Sequence, residues 1–285
     1  MKLIDLHVHS NISDGTLSPT DLAIYAKAKG LSAIALTDHD TISGIEACAL
    51  KGLEIDLTVV PGIEFSAEYK SGEIHILGYY IDHHSDILEE KLKSIIQNRV
   101  QRNAKMVEKL NTLGLIITEA DLLGDNPPET ILTRAHVATA LYKKGYVKTR
   151  SEAFDKYIGH DKPAYIPRVR VTPEECIKTI HLAGGLAVLA HPNLYGLTSF
   201  DKELLLKELI TLGLDGVETH YSTHTKEDVQ ELSALCLKYK LLPTGGSDFH
   251  GENKPGLDIG IGYGDLKIPY DILDAMHNRL GSAHK

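Results

Sequence analysis

The 285-residue sequence predicts an α/β fold with a mostly parallel sheet, interrupted by one hairpin and one helical insertion. Three patterns carry this reading. Short apolar runs alternate with helix-like stretches, the arrangement that parallel sheets produce. Glu64 to Tyr69 and Glu73 to Tyr80 flank Ser71-Gly72, a hairpin signal inside the parallel pattern. From about Gln97 to Pro163 helix signals follow one another around the breaker Asn126-Pro127-Pro128.

Lys2 to His7 reads as the first strand. Ser18-Pro19 supplies an N-cap and a first-turn proline for a helix that runs to Gly30, where a left-handed stop is expected. Leu31 to Leu36 is the second strand, and Leu57 to Val60 and Ile74 to Leu77 are further apolar runs. The insertion holds a long amphipathic helix, a helix from about Thr133 to Lys144 and another from Ser151 to Ile158. The capping box Thr172-Pro173-Glu174-Glu175 opens the helix before the strand Leu186 to Ala190. Gly216 to Glu218 and Leu241 to Gly245 are later strands, separated by a helix from about Thr225 to Lys240. The expected division is a barrel of residues 1–96 and 164–285 and a helical cap of residues 97–163.

With 42% hydrophobic and 24% charged residues, the chain has the material for one large core or a core with a small insert. No apolar run approaches the roughly 18 residues of a membrane span, and the N-terminus goes straight into a strand pattern, so the expected location is cytoplasmic. Cys48, Cys176 and Cys236 lie far apart in apolar helical patterns and read as buried, reduced thiols. A net charge of −9 argues against a broad footprint on long nucleic acid, which needs clustered Lys and Arg. It leaves room for small phosphorylated ligands, because a metal cluster inverts the local field.

Many residues of metal-ligand type stand just after an apolar strand run, where parallel α/β barrels build their active sites. His7 and His9 are two apart, so an extended segment projects both imidazoles from one face. Asp14 follows in Ser10-Asn11-Ile12-Ser13-Asp14-Gly15, and the second strand ends in Thr37-Asp38-His39-Asp40. Glu64 and His75 sit on the hairpin; later strands end in Ala190-His191-Pro192 and Gly246-Ser247-Asp248-Phe249-His250. Core packing does not explain this set, since buried imidazoles and carboxylates cost several kcal/mol unless paired or metal-bound. Imidazole with carboxylate and without thiolate suits manganese, iron or zinc.

These motifs (His-x-His, Thr-Asp-His-Asp, the hairpin Glu and His, His-Pro, and Ser-Asp-Phe-His) stand in the order of the PHP family, the polymerase and histidinol phosphatase domain, which the chain resembles over nearly its whole length. The resemblance implies a distorted (β/α)7 barrel holding three divalent metals. It places one on His7, His9, Glu64 and Asp248, lets Glu64 bridge to a second on His75 and His191, and puts a third on Asp14, His39 and His250. Manganese is the first choice, with iron, zinc or magnesium as alternatives. A hydroxide bridging two cations would be the nucleophile, since metal binding lowers the pKa of water towards ~7. Asp5, Asp38 and Asp40 are expected to orient ligands from behind.

Three divalent cations would outweigh the carboxylates Asp14, Glu64 and Asp248, leaving a pocket suited to a phosphate. Thr133-Arg134-Ala135-His136, Asp161-Lys162-Pro163-Ala164-Tyr165-Ile166-Pro167 and Ala183-Gly184-Gly185 resemble one PHP subgroup, that of 3',5'-nucleoside bisphosphate phosphatases and the 5'-to-3' exoribonuclease RNase AM. The resemblance implies that Arg134 and Lys162 grip the phosphate that is not cleaved, and it gives His224 a catalytic or substrate-binding role. The expected reaction is removal of the 3'-phosphate from a nucleoside 3',5'-bisphosphate, with trimming of short RNA as an extension. The alternatives are a histidinol-phosphate phosphatase or a non-catalytic, metal-stabilised module.

One departure is His191-Pro192-Asn193-Leu194-Tyr195, where relatives carry Gly-Arg after His-Pro; Arg168 and Arg170 are candidates to compensate. Gly260-Ile261-Gly262-Tyr263-Gly264 does not lie between a first strand and its helix and reads as a turn. His83, His84, His160, His181, His277 and His284 are expected to be bystanders, whereas His136 and His220 fit either role.

Overall fold

The computed structural model describes residues 2–70, 72–167 and 171–283; Ser71, Arg168, Arg170 and His284 lie outside the described residues. The strands are β1 (Leu3–Val8), β2 (Ala33–Leu36), β3 (Thr58–Tyr69), β4 (Gly72–Tyr79), β5 (Leu186–Leu189), β6 (Gly216–Tyr221), β7 (Leu242–Gly246) and β8 (Ile268–Pro269). They form a single sheet in the order β7-β6-β5-β4-β3-β2-β1-β8. β1 to β3 and β5 to β7 run parallel, and β4 is antiparallel to both its neighbours, as the hairpin signal requires. The sheet curls round until Val8 bridges Phe249 and the Asp248 and His9 amides donate across the gap to the His7 and Phe249 carbonyls, at 2.8 and 2.9 Å. The result is a nearly closed barrel whose seam lies between β1 and the segment leaving β7.

Alternation along the strands separates two cores. Ile4, Leu6, Ala33, Ala35, Val60 and Val188 point inward and meet Leu273 and Met276 of the last helix, which closes one end. Ile34, Leu36, Ile63, Ile76, Leu189 and Val217 point outward against the surrounding helices. Two register shifts break the alternation. In β1, Asp5 pairs with Ile34 and Val8 with Leu36, so one extra residue enters between them. That extra residue resets the side-chain phase just where His7 lies. β6 has a corresponding shift between Glu218 and His220.

The helices are α1 (Pro19–Ala28), α2 (Ile45–Glu54), α3 (Asp86–Thr112), α4 (Glu119–Leu123), α5 (Arg134–Lys143), α6 (Arg150–Ala153), α7 (Pro173–Leu182), α8 (Ser199–Thr211), α9 (Lys226–Tyr239) and α10 (Asp271–Ala283). Ser18 caps α1 by accepting from the Asp21 amide at 3.1 Å, and Gly30 takes φ +82° after its end. The capping box of α7 forms as read, with Thr172 and Glu175 serving each other's amides. Helix α3 corrects the sequence reading. It begins at Asp86, not near Gln97, because Ser85 sits at its N-cap and Leu88, Leu92 and Ile95 keep a helical stripe against the barrel's outer core. Its second half, with Met106 and Leu110, joins Ile117, Val137 and Leu141 in a separate apolar cluster. One continuous helix thus ties the inserted segment to the barrel wall.

The seam depends on Gly246. A Cβ built there would lie 2.1 Å from the His7 Cβ and 2.5 Å from the His7 amide nitrogen, contacts that backbone cannot relieve by a rotamer change. Gly246→Ala should therefore cost about 3 kcal/mol, the upper end of ordinary overpacking, and displace His7. Urea unfolding checks the stability loss, and an unchanged midpoint would show that the seam is looser than drawn.

Candidate metal centre

The nine side chains expected to bind metal converge at one end of the barrel, around the buried carboxylate of Glu64. Its Oε2 lies 3.3 Å from His7 Nε2, 3.2 Å from His9 Nε2 and 3.1 Å from His39 Nδ1. Its Oε1 lies 2.8 Å from His75 Nδ1 and 3.1 Å from His191 Nε2. Asp248 Oδ1 stands 3.3 Å from His9 Nε2 and 3.6 Å from His7 Nε2. Asp14 lies 3.2 Å from His250 Nε2 and 4.0 Å from His39 Nε2. Ligand atoms within 4.8 Å of one another fall into overlapping sets: His9, Asp14, His39 and His250; His7, His191 and Asp248; His7, His9 and Glu64; His39, Glu64 and His75.

The chemistry of this cluster fits divalent cations. His7 Nε2, both His9 nitrogens, His39 Nδ1, His191 Nδ1 and Glu64 Oε2 are buried without a hydrogen-bond partner. Such atoms carry a desolvation cost that coordination to a cation removes. The backbone supports the same centre at some strain, since His191 and Asp248 take φ +25° and +59°.

A ring of second contacts aims the ligands. Glu218, fully buried on β6, accepts from His7 Nδ1 at 2.9 Å and from the His191 amide at 2.7 Å. That bond fixes the His7 tautomer and leaves Nε2 facing inward. His250 Nδ1 donates to the Asp248 carbonyl at 2.9 Å, which frees its Nε2 in the same way. Glu73 lies 3.1 Å from His75 Nε2. Asp38 gathers the Ser10 amide and hydroxyl and the Ser13 hydroxyl, holding the loop that carries Asp14. Asp5 accepts from the Ser247 and Gly260 amides, so the glycine turn at 260–264 braces the end of β7. Asp40 pairs with Arg99 and accepts from the Ser66 amide at 3.2 Å.

Proton affinities record the crowding. Burial alone would lower His7, His9 and His75, but neighbouring carboxylates outweigh it and raise His7 well above 6.5, His9 to about 9 and His75 to about 10. Burial pushes His39 down to about 3 and lowers His250. Burial would raise Asp14, Glu64 and Asp248, yet the imidazoles facing all three, with Lys254 beside Asp248, hold these carboxyls well below their usual range. Burial lifts Asp5 to about 6.

Beside the cluster lies a cavity of ≈ 550 Å³ between the β3–β4 hairpin and the inserted helices, its walls including Arg99, Arg102, Arg134, Glu73, His160 and Tyr165. Arg134, at the start of α5, is 3.8 Å from Glu73 and sits over the Phe154 ring. Lys162 is exposed and is not among the residues that line the cavity. His224 donates from Nδ1 to the Thr219 carbonyl at 2.9 Å, which leaves a buried Nε2 as an acceptor beside Tyr221. His136 Nδ1 accepts the Thr133 amide at 3.0 Å, and the Thr133 hydroxyl lies 3.3 Å from Asp14. His160, expected to be a bystander, lines the cavity. His83 and His84 face Glu46, His181 faces Asp215 and His277 faces Tyr80. His220 is half-buried in β6.

The sequence reading missed Glu218, Tyr221, Arg99, Arg102 and Lys254. A charged residue on an inward position of a buried strand was the available signal for Glu218, and arginines three apart on one face of a long helix were the signal for Arg99 and Arg102. Tyr221 donates to Asp248 Oδ2 at 2.7 Å, and Lys254 ion-pairs with the same oxygen.

Known proteins bear on this geometry. A family model described as the PHP domain matches residues 5–160. The chain is 35% identical over 251 residues to a 5'-3' exoribonuclease of Haemophilus influenzae, across 87% of this chain and 90% of that protein. It is 32% identical over 262 residues to a 3',5'-nucleoside bisphosphate phosphatase of Chromobacterium violaceum, covering 91% of each. A solved structure from Bifidobacterium adolescentis, described as a metal-dependent phosphoesterase, superposes with a TM-score of 0.86 at 30% identity, covering 98% of this chain and 96% of that one. Among the described residues, no helix is long and apolar enough to cross a membrane.

The raised imidazoles generate a test. At neutral pH metal-free protein holds protons on His7, His9 and His75, whereas a coordinating imidazole must be neutral. Loading manganese should therefore release protons, seen in calorimetry as a binding heat that varies with the ionisation enthalpy of the buffer. Identical heats in all buffers would mean that these imidazoles either carry no proton before the metal binds or do not bind it.

Proposed function

The chain belongs to the PHP family of metal-dependent phosphoester hydrolases, and from that membership we propose that it removes the 3'-phosphate from nucleoside 3',5'-bisphosphates and shortens small RNA from the 5' end. The observation that carries this reading is a cavity walled by Arg99, Arg102 and Arg134 and joined to the cluster through Glu73, which lies 3.8 Å from Arg134 and 3.1 Å from His75. A phosphomonoesterase for a simple ester needs the cluster alone. A cavity of this size and charge suits a substrate with a second phosphate and a nucleoside body.

In this proposal His7, His9, Asp14, His39, Glu64, His75, His191, Asp248 and His250 would hold the cations, manganese first among them, and Glu64 presents both of its oxygens to the imidazoles of the set. Bound divalent cations supply Lewis acidity and an activated water for attack on phosphorus. The chain's own residues do the rest. Glu218 and the Asp248 carbonyl orient His7 and His250, so the cluster does not reorganise during reaction. Residues 97–163 act as a cap, whose Arg134 joins Arg99 and Arg102 in holding the phosphate that is not cleaved. His224, with its tautomer fixed by Thr219, offers Nε2 as a hydrogen-bond or proton acceptor towards the substrate. The exposed position of Lys162 makes it a minor contributor. A cytoplasmic location agrees with buried thiols at Cys48, Cys176 and Cys236.

Manganese-loaded protein should release phosphate from a nucleoside 3',5'-bisphosphate and nucleotides from a 5'-phosphorylated RNA oligomer faster than phosphate from histidinol phosphate. Preference for histidinol phosphate would reverse the substrate assignment. Arg134→Ala should lower kcat/KM for the bisphosphate about tenfold to a few hundredfold, the loss of a charge-assisted hydrogen bond of roughly 1.5–3 kcal/mol, and much less for p-nitrophenyl phosphate. Equal losses on both would move Arg134 from substrate recognition to support of the fold.

A further inference from the structure

We propose that Lys254 is a catalytic residue of this centre, whose ammonium group contacts a non-bridging oxygen of the phosphoryl group under attack. The proposal rests on the phosphoesterase reading and adds to it a residue that no motif identified.

Lys254 follows the short 3-10 turn Gly251–Asn253, and its amide donates back to the Gly251 carbonyl at 3.2 Å, so the backbone delivering the side chain is fixed. Its ammonium pairs with Asp248 Oδ2, the oxygen that also accepts from Tyr221 at 2.7 Å. The other oxygen, Oδ1, faces His9 Nε2 at 3.3 Å and His7 Nε2 at 3.6 Å. The carboxylate is thus divided, with one side turned to the imidazoles and the other to a lysine whose side chain is one-third exposed. The lysine stands on the solvent side of a residue that would bind metal.

Charge decides what happens there. Asp248 Oδ2 gives the ammonium its counter-charge, while Oδ1 faces His9, His7 and His250. Once the carboxylate shares that charge with a divalent cation, Lys254 is left beside a net positive centre and draws an anion. A phosphate ester held at the centre is that anion, and its charge on the equatorial oxygens during transfer is what a fixed cation stabilises. Arg99, Arg102 and Arg134 line the cavity and Lys254 does not, so on the proposed reading the arginines hold a different phosphate. Loss of Lys254 must therefore fall on every ester, and loss of Arg134 mainly on bisphosphates.

The experiment compares wild-type, Lys254→Met, Lys254→Gln and Lys254→Arg proteins loaded with manganese. Bound manganese is measured per chain, inorganic phosphate binding by calorimetry, and kcat/KM on both a nucleoside bisphosphate and p-nitrophenyl phosphate. Removing the ammonium should lower kcat/KM on both esters on the order of 10²-fold, the usual cost of one donor to a developing oxyanion, and weaken phosphate binding, with manganese content unchanged. The arginine variant should recover part of both. Manganese lost in step with activity would show that Lys254 only holds Asp248 in place and overturn the proposal, as would unchanged phosphate binding in the methionine and glutamine variants. If wild-type protein cleaves neither ester, the phosphoesterase reading fails on its own, and the phosphate calorimetry still decides whether Lys254 meets a phosphate.

Discussion

A buried carboxylate surrounded by imidazoles governs this structure. Glu64 is 1% exposed, with three histidines against one oxygen and two against the other. Desolvating an acid so fully is costly, and the cost is met only if several chain segments bring compensating groups to one point. The architecture follows from that demand. β3 runs for 12 residues so that Glu64 sits mid-strand, and the hairpin returns His75 to the same carboxylate. The seam at Gly246 brings His7 against the end of β7, and the extra residue in β1 turns the imidazole to the required face.

Behind the ligands, hydrogen bonds convert proximity into aim. Tyr195 shows how a departure from the family pattern is absorbed. Its hydroxyl accepts from the His75 amide and donates to the Ala190 carbonyl, both at 2.8 Å, tying the hairpin to the end of β5. The segment after His191-Pro192 therefore serves to align two ligand-bearing strands. The cavity's guanidiniums come instead from α3 and α5.

The strand order of chemistry was legible because many of the ligands follow an apolar run, and local turn chemistry fixed the starts of α1 and α7. The hairpin was legible from two residues, and the inserted segment from helix signals. What escaped depends on distance in the chain. Glu218 meets His7 across 211 positions, and nothing in Gly216 to Tyr221 shows which way a carboxylate turns once a register shift intervenes. Lys254 lies in a turn without periodicity, so no pattern marks it. Helix α3 was placed too late because its apolar stripe changes partner along its length, from the barrel wall to the inserted segment's own cluster. Arg134 and Lys162 looked equivalent in sequence, and which of them lines the cavity depends on how the chain packs.

On the proposed reading, Glu73 explains how one site handles two phosphates in an acidic protein. It stands between His75, at 3.1 Å, and Arg134, at 3.8 Å. Without a negative group there, the Arg134 guanidinium and a metal-loaded cluster would repel each other across the hairpin. With it, each region keeps its own positive field, and the hairpin sets a fixed spacing between them. Such a spacing discriminates by geometry: an ester with one phosphate satisfies the cluster alone, whereas a bisphosphate of the right span satisfies both fields together. Because binding at the second field is remote from the bond being broken, it can be used to position the scissile phosphate. The net charge of −9 is then no obstacle to an anionic substrate, since the carboxylates that produce it locally serve to hold and separate positive charge.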